Sequence, residues 1–235
     1  MKYLGAFLVA TAVLSGCAVQ TGPVQQPLPA GPVVQASRAP SGPVSFAAVA
    51  RRVEPVAEQV CRKQRTVRNC DFLIVLDRRT NVPPNAFQTL DNSGRPVLIV
   101  TAPLLRQMRN NDELAFVLGH EAAHHIESHL PKTQQSAILG AVLIGTVAEL
   151  GGAGPATIEA AQNIGASVGS RTFSKQFELE ADALGTVIAW EAGYDPVRGA
   201  DFFARIPDPG NQFLGSHPPN AERQQVVRSV ARRLG

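Results

Sequence analysis

The stretch His120-Glu121-Ala122-Ala123-His124 constrains this chain more than any other. Residues four apart on an α-helix lie one above the other, so His120 and His124 present two imidazoles to a single point. Two imidazoles at that spacing suit one metal ion, Zn²⁺ above all. Glu121 is then placed to take a proton from a water that the metal activates. Four of the five histidines fall between positions 120 and 129, a clustering that chance explains poorly.

The flanks predict a helix around this motif. Asn111 or Asp112 suits the N-cap, and Glu113 suits the positive end of the helix dipole. Leu114, Val117, Leu118 and Ala122 repeat at helical spacing, which buries the motif, and Pro131 is the expected stop. His129 falls about 180° round such a helix from His120, and His125 about 100° from His124. Both read as surface histidines or as supports behind the ligands. Metzincins carry a Gly and a third His where this chain has Glu127 and Leu130, so the arrangement is a different one.

A third ligand has to come from elsewhere in the chain. Glu178 and Asp182 are four apart, hence on one helix face, among apolar Phe177, Leu179 and Ala181. A carboxylate in such surroundings costs free energy unless it is paired or metal-bound. Glu180 lies about 200° from Glu178 and is expected to face solvent.

Three blocks, in this order and spacing, resemble the M48 zinc peptidases. That family includes the membrane-bound HtpX-like and Ste24-like CAAX-prenyl proteases and small periplasmic lipoproteins. The blocks are His120-Glu121-x-x-His124, the run Glu178-Leu179-Glu180-Ala181-Asp182-x-x-Gly185, and Ser216-His217-Pro218-Pro219-Asn220-Ala221-Glu222-Arg223. A weaker match is Asn85-Ala86-Phe87 ahead of the run 97–100. The resemblance implies one Zn²⁺ per chain held by His120, His124 and Glu178, with Glu121 as the base. It further implies that Asp182 hydrogen-bonds a ligand histidine, that His217 stabilises the oxyanion, and that Arg223 holds the His217 loop or Asp182. The implied fold is an α+β, mostly helical, zincin-like (gluzincin) domain with a small sheet ahead of the motif helix. Asn85, Ala86 and Phe87 would form an edge strand that pairs with substrate.

Residues 1–16 read as a signal peptide: a basic start at Lys2, then an apolar run through Leu14 that is too short to span a bilayer. Leu14-Ser15-Gly16-Cys17 looks like a bacterial lipobox, which makes Cys17 a lipidated N-terminus. Ala18, where Asp would retain such a lipoprotein in the inner membrane, directs it to the outer membrane with its domain in the periplasm. In that oxidising compartment Cys61 and Cys70 are expected to form a disulfide. Residues 17–44 are rich in Pro and Gly and nearly uncharged, so they read as a flexible tether. Residues 45–235 suffice for one domain with a real core.

Expected elements are a helix over 46–61, broken or bent near Pro55, and a strand over 71–76. A hairpin of 85–90 and 96–101 turns at Asp91-Asn92-Ser93-Gly94. Two antiparallel helices, 133–150 and 155–169, are poor in charge and rich in Gly and Ala. They are expected beside the cleft, dipping toward a membrane or covering the site, or else fully buried. Helices over 172–192, 196–205 and 219–233 complete the chain.

These readings point to a zinc endopeptidase on the periplasmic face of the outer membrane, acting on misfolded or unassembled envelope proteins. The alternative is a chaperone-like or assembly lipoprotein with a latent zinc site, and a cell-wall amidase is a further one. An intact Glu121 argues against a purely non-catalytic site. The net charge of +3, which falls by one when Lys2 leaves with the signal, is too mild for a nucleic-acid partner.

Overall fold

Among the described residues three strands precede the motif helix, and the last of them in sequence sits in the middle of the sheet. The computed structural model describes residues 44–172, 174–207 and 218–235. Its elements are α1 (Phe46–Gln64), β1 (Leu73–Asp77), β2 (Ala86–Leu90), β3 (Pro96–Thr101), a short α2 (Ala102–Leu105), α3 (Asn111–Ile126), α4 (His129–Leu150), α5 (Pro155–Thr172), α6 (Ser174–Glu191), α7 (Pro196–Ala200), a 3-10 turn (Asp201–Ala204) and α8 (Asn220–Leu234). This is the α+β, mostly helical arrangement that the sequence calls for. The strand order is β1-β3-β2, with β1 parallel and β2 antiparallel to β3.

β2 is an edge strand, and the hydrogen bonds show which of its backbone groups are free. Thr101 N–H donates to Asn85 O, and Asp91 N–H donates to Arg95 O. Paired and unpaired positions alternate along an antiparallel ladder, so Phe87 and Thr89 also face β3. The N–H and C=O groups of Ala86, Gln88 and Leu90 therefore point away from the sheet. The connecting turn is closed by Asp91, whose Oδ1 accepts from the backbone of Ser93 and Arg95, with Gly94 at φ 80°.

α3 is buried along almost its whole length and packs against α1, α6, α7 and the sheet. Leu114, Leu118 and Ile126 are fully buried, and each contributes about 1.5–3 kcal/mol. The cap is Asn110, one residue before the expected pair, and its side chain accepts from Glu113 N–H. Asp112 and Glu113 do more than face a dipole. Both are buried, Asp112 paired with Arg198 and Glu113 with Arg205 at 2.6 Å, so the start of α3 is pinned to the segment 195–205.

Three local expectations are corrected. α1 runs unbroken through Pro55, because Pro55 and Arg51 are both exposed and water can take the Arg51 carbonyl that loses its partner. Pro131 does not stop α3. That helix ends at Ile126, Ser128 adopts a left-handed conformation (φ 57°), and Pro131 sits in the first turn of α4, where its missing N–H costs nothing. Of the alternatives for the paired helices α4 and α5, full burial is the one overturned: Ile138, Leu143 and Leu150 are 64, 65 and 84 % exposed. The disulfide joins Cys61 in α1 to Cys70 ahead of β1.

Candidate metal centre and cleft

The ligand helices meet where neither has a side chain. A Cβ on Gly119 would stand 2.8 Å from Gly185 O, and one on Gly185 would stand 2.8 Å from His120 N. Such contact is possible only between glycines, and it brings α6 against the motif turn of α3. His120, His124 and Glu178 then converge. The two Nε2 atoms are 3.0 Å apart, and Glu178 lies 3.3 Å from His124 Nε2 and 3.6 Å from His120 Nε2. Their ligand atoms all fall within 4.8 Å of one another, and among the described residues no other His, Cys, Asp or Glu group does so.

The hydrogen bonds behind these groups decide where their protons sit. Asp182 Oδ1 is 2.9 Å from His120 Nδ1, so Nδ1–H donates and Nε2 keeps its lone pair. His124 Nδ1 is 2.9 Å from His129 Nδ1, and His129 Nε2 is 3.1 Å from Glu180. A carboxylate only accepts, so His129 donates through Nε2 and accepts at Nδ1. His124 therefore donates through Nδ1, and its Nε2 is also a bare lone pair. Two lone pairs and a carboxylate facing one point repel one another unless a cation joins them. Two nitrogens bound tetrahedrally to Zn²⁺ stand about 3.3 Å apart, close to the spacing seen. The site fits a metal.

Asp182 is fully buried and anchors the group from behind. Arg223 grips it with two hydrogen bonds of 2.7 Å and lies 3.8 Å over the Phe203 ring. Burial opposes the Asp182 charge, but the bonds from Arg223 and His120 outweigh it and hold the carboxyl below its ordinary value. Of the two places offered for Arg223, the structure shows the one against Asp182.

His129 takes one of the two places the sequence offered it, a support behind the ligands, although by a route that a single helix would not give. The break at Glu127–Ser128 swings His129 round onto His124, where it is buried and stacked on Phe177 at 4.5 Å. Burial and the nearby His124 push His129 down to about 4. Glu180 keeps a side chain 37 % exposed, as expected, and also accepts from His129 and from Gln176. His125 is a support of another kind, since its Nε2 meets Asn69 O at 2.8 Å and its ring abuts Phe72. Replacing His129 with Phe should weaken metal binding by about 10–100-fold, the usual effect of losing a group that orients a ligand histidine. Competition with a zinc-binding dye measures this.

Two hollows share Glu121, His124 and Glu178 as a common wall. The larger, about 540 Å³, lies between Asn85 and Ala86 on one side and Phe202, Phe203 and Ile206 on the other. The smaller, about 230 Å³, is bounded by Gln88, His129 and Phe177. The edge strand thus flanks the metal group on both sides, with Asn85 and Ala86 at the larger hollow. Phe87 lies on the strand's other face and is 38 % exposed. His217 and Cys17 lie outside the described residues.

A family model described as peptidase family M48 matches residues 43–231. The mitochondrial metalloendopeptidase OMA1 of Arabidopsis thaliana is 27% identical over 138 residues, covering 55% of this chain and 27% of that protein. The beta-barrel assembly-enhancing protease of Escherichia coli K12 is 28% identical over 153 residues, covering 58% and 31%. Metalloprotease LoiP of the same strain is 29% identical over 129 residues, covering 53% and 51%. The matched part of the chain spans between about a quarter and a half of these relatives' own length. The family match runs from just ahead of α1 into the last helix and takes in the whole metal group, and the chain therefore belongs to peptidase family M48.

Proposed function

We propose that this chain is a zinc endopeptidase, anchored by a lipid on Cys17 to the periplasmic face of the outer membrane, that cleaves misfolded or unassembled envelope proteins. The observation that carries it is the free edge of β2 beside a two-histidine, one-glutamate centre, an arrangement that takes an extended chain. That donor set is typical of catalytic zinc, which keeps one position open. Bound there, Zn²⁺ would polarise the scissile carbonyl and acidify a neighbouring water.

The protein's own groups do the rest. The Glu121 carboxylate takes a proton from the attacking water and returns it to the leaving amine. Asp182 and His129 hold the two imidazoles with their Nε2 lone pairs forward. The outward N–H and C=O of Ala86 and Gln88 hold the peptide backbone by strand addition. Phe202, Phe203 and Ile206 line the larger hollow and favour an apolar side chain there. The oxyanion is assigned to His217 on the resemblance alone.

The envelope setting is supported by the lipobox at Cys17 and by the names of two relatives, the beta-barrel assembly-enhancing protease and LoiP. The test is cleavage of an outer-membrane barrel protein, presented unfolded or already folded in detergent. The unfolded form should be cut and the folded form spared, and equal rates on both would contradict the substrate class. Gln88→Pro removes an N–H that β3 does not use. It should raise KM by about threefold to tenfold, the worth of one hydrogen bond, with bound zinc unchanged. An unaltered KM would remove β2 from the account.

A further inference from the structure

We propose that the outer face of α4 is a lipid-binding face, which lays the α4–α5 hairpin on the surface of the bilayer beside the cleft. The proposal rests on the reading of Cys17 as a lipid anchor and adds to it a second, non-covalent contact.

The hairpin is packed the wrong way round for a helix pair that lives in water. Its seam is backbone on backbone: a Cβ on Gly140 would stand 2.1 Å from Gly165 O, and one on Gly169 would stand 2.1 Å from Ser136 O. Of the large aliphatics of α4, Ile144 reaches the seam, 3.0 Å from where a Cβ on Gly165 would stand, and the others turn outward. Ile138, Leu139, Val142, Leu143, Val147 and Leu150 are 64, 62, 59, 65, 61 and 84 % exposed. On a helical projection they fall within about half a turn, on the side of α4 turned away from α5, along a stripe about 18 Å long. On α5 the exposed residues include the polar Glu159, Asn163 and Ser167 and two aliphatics, Ile164 and Val168, at 61 and 41 %. The broad aliphatic face is therefore that of α4, while the exposed side of α5 is mixed.

Lipid suits that face better than a protein does. Glu149 and Glu159 are the only ionisable groups between Thr133 and Ser170, while Lys132 and Arg171 stand just beyond the two ends. A protein interface carries roughly one hydrogen bond per 100–200 Å² to fix its register, and these side chains supply none. An apolar helix face with cations at its border is what an interfacial helix presents to headgroups and upper acyl chains. No helix among the described residues is long and apolar enough to cross a membrane, so the contact is at the surface.

The chain outside the described residues supplies the proximity. The 27 residues 17–43, of Pro- and Gly-rich composition, correspond to a reach of about 30 Å from the bilayer. Anchored at that distance, even a weak lipid contact is made most of the time. α4 begins at His129, and Leu130 and Thr133 line the smaller hollow, so a bound hairpin holds the cleft close to the membrane.

The test uses the full lipidated chain in vesicles of phosphatidylethanolamine and phosphatidylglycerol. Leu143→Cys, Leu150→Cys and Asn163→Cys are each labelled with an environment-sensitive fluorophore. With Cys61 and Cys70 paired and Cys17 capped by its lipid, mass spectrometry should find one label per chain. Two labels would refute the anchor reading, and the signal from the new cysteine, taken as the difference from the labelled parent chain, would still decide the face. Lipids carrying a nitroxide in the upper acyl chain should quench the labels at 143 and 150 at least about threefold more than the label at 163. Equal quenching at all three sites, or none, overturns the proposal. So does shielding at 143 that follows protein concentration and not nitroxide, since that is the mark of a second copy.

Discussion

Glu121→Gln is expected to lower kcat/KM by about 10³-fold, or about 4 kcal/mol of transition-state stabilisation, while the bound metal stays in place. Gln has the shape of Glu, so the common wall of the two hollows is kept. It loses only the basic oxygen that accepts a proton from the attacking water. The three groups that converge on the metal point are untouched, because Glu121 is not among them. Peptide hydrolysis by the purified chain, read beside its zinc content, checks both halves. A variant that keeps its zinc and its rate would show that another group is the base.

The second large effect is on stability. Asp182 is fully buried and Arg223 is 7 % exposed. Asp182→Ala leaves the guanidinium buried without its main partner, which costs about 3–5 kcal/mol. For a domain of this size that is a fall of about 10 °C in Tm. Replacing both residues, Asp182→Leu with Arg223→Met, should restore most of the stability, since a buried pair is worth little against a well-packed apolar one. It should not restore metal affinity, because His120 Nδ1 still lacks the acceptor that orients it. Calorimetry and zinc titration on the single and double variants separate the two roles. The Asp182 carboxyl is held below its ordinary value in the folded state, so its contribution is complete above the ordinary Asp range. It is lost only as pH falls below that range and through the depressed value.

What could be read from the sequence was set by period and by chemistry. Four-residue spacing puts His120 over His124 and Glu178 over Asp182, and the family blocks supply the pairing of the two helices. The physical reason they meet, a Gly119–Gly185 backbone contact, leaves no pattern beyond the glycines themselves. Pro131 looked like the end of the motif helix, yet the chain breaks earlier, at a serine in a left-handed conformation that no propensity announces. That break invalidates angles counted along a single helix, so the supporting place of His129, one of the two offered for it, could not be chosen from the sequence. The bond from His129 to Glu180 was hidden for a related reason: only the break brings the start of α4 against Phe177 and Glu180 of α6. The buried pairs Asp112–Arg198 and Glu113–Arg205 join residues far apart in the chain, beyond the reach of any local pattern. The α4–α5 hairpin was legible as an element, with burial left as one alternative, and the glycine seam that turns the aliphatic side outward is what decides against it.

The central claim is that His120, His124 and Glu178 together hold the metal on which cleavage depends. Zinc affinity, measured by chelator competition on the parent chain and on His120→Ala, His124→Ala, Glu178→Ala and Glu121→Gln, tests it most directly. One zinc per chain is expected, with equal affinity for the parent and Glu121→Gln. A loss of more than about 100-fold is expected for each of the other three, beyond what a missing supporting group costs. Glu178→Ala binding zinc as tightly as the parent would contradict that claim.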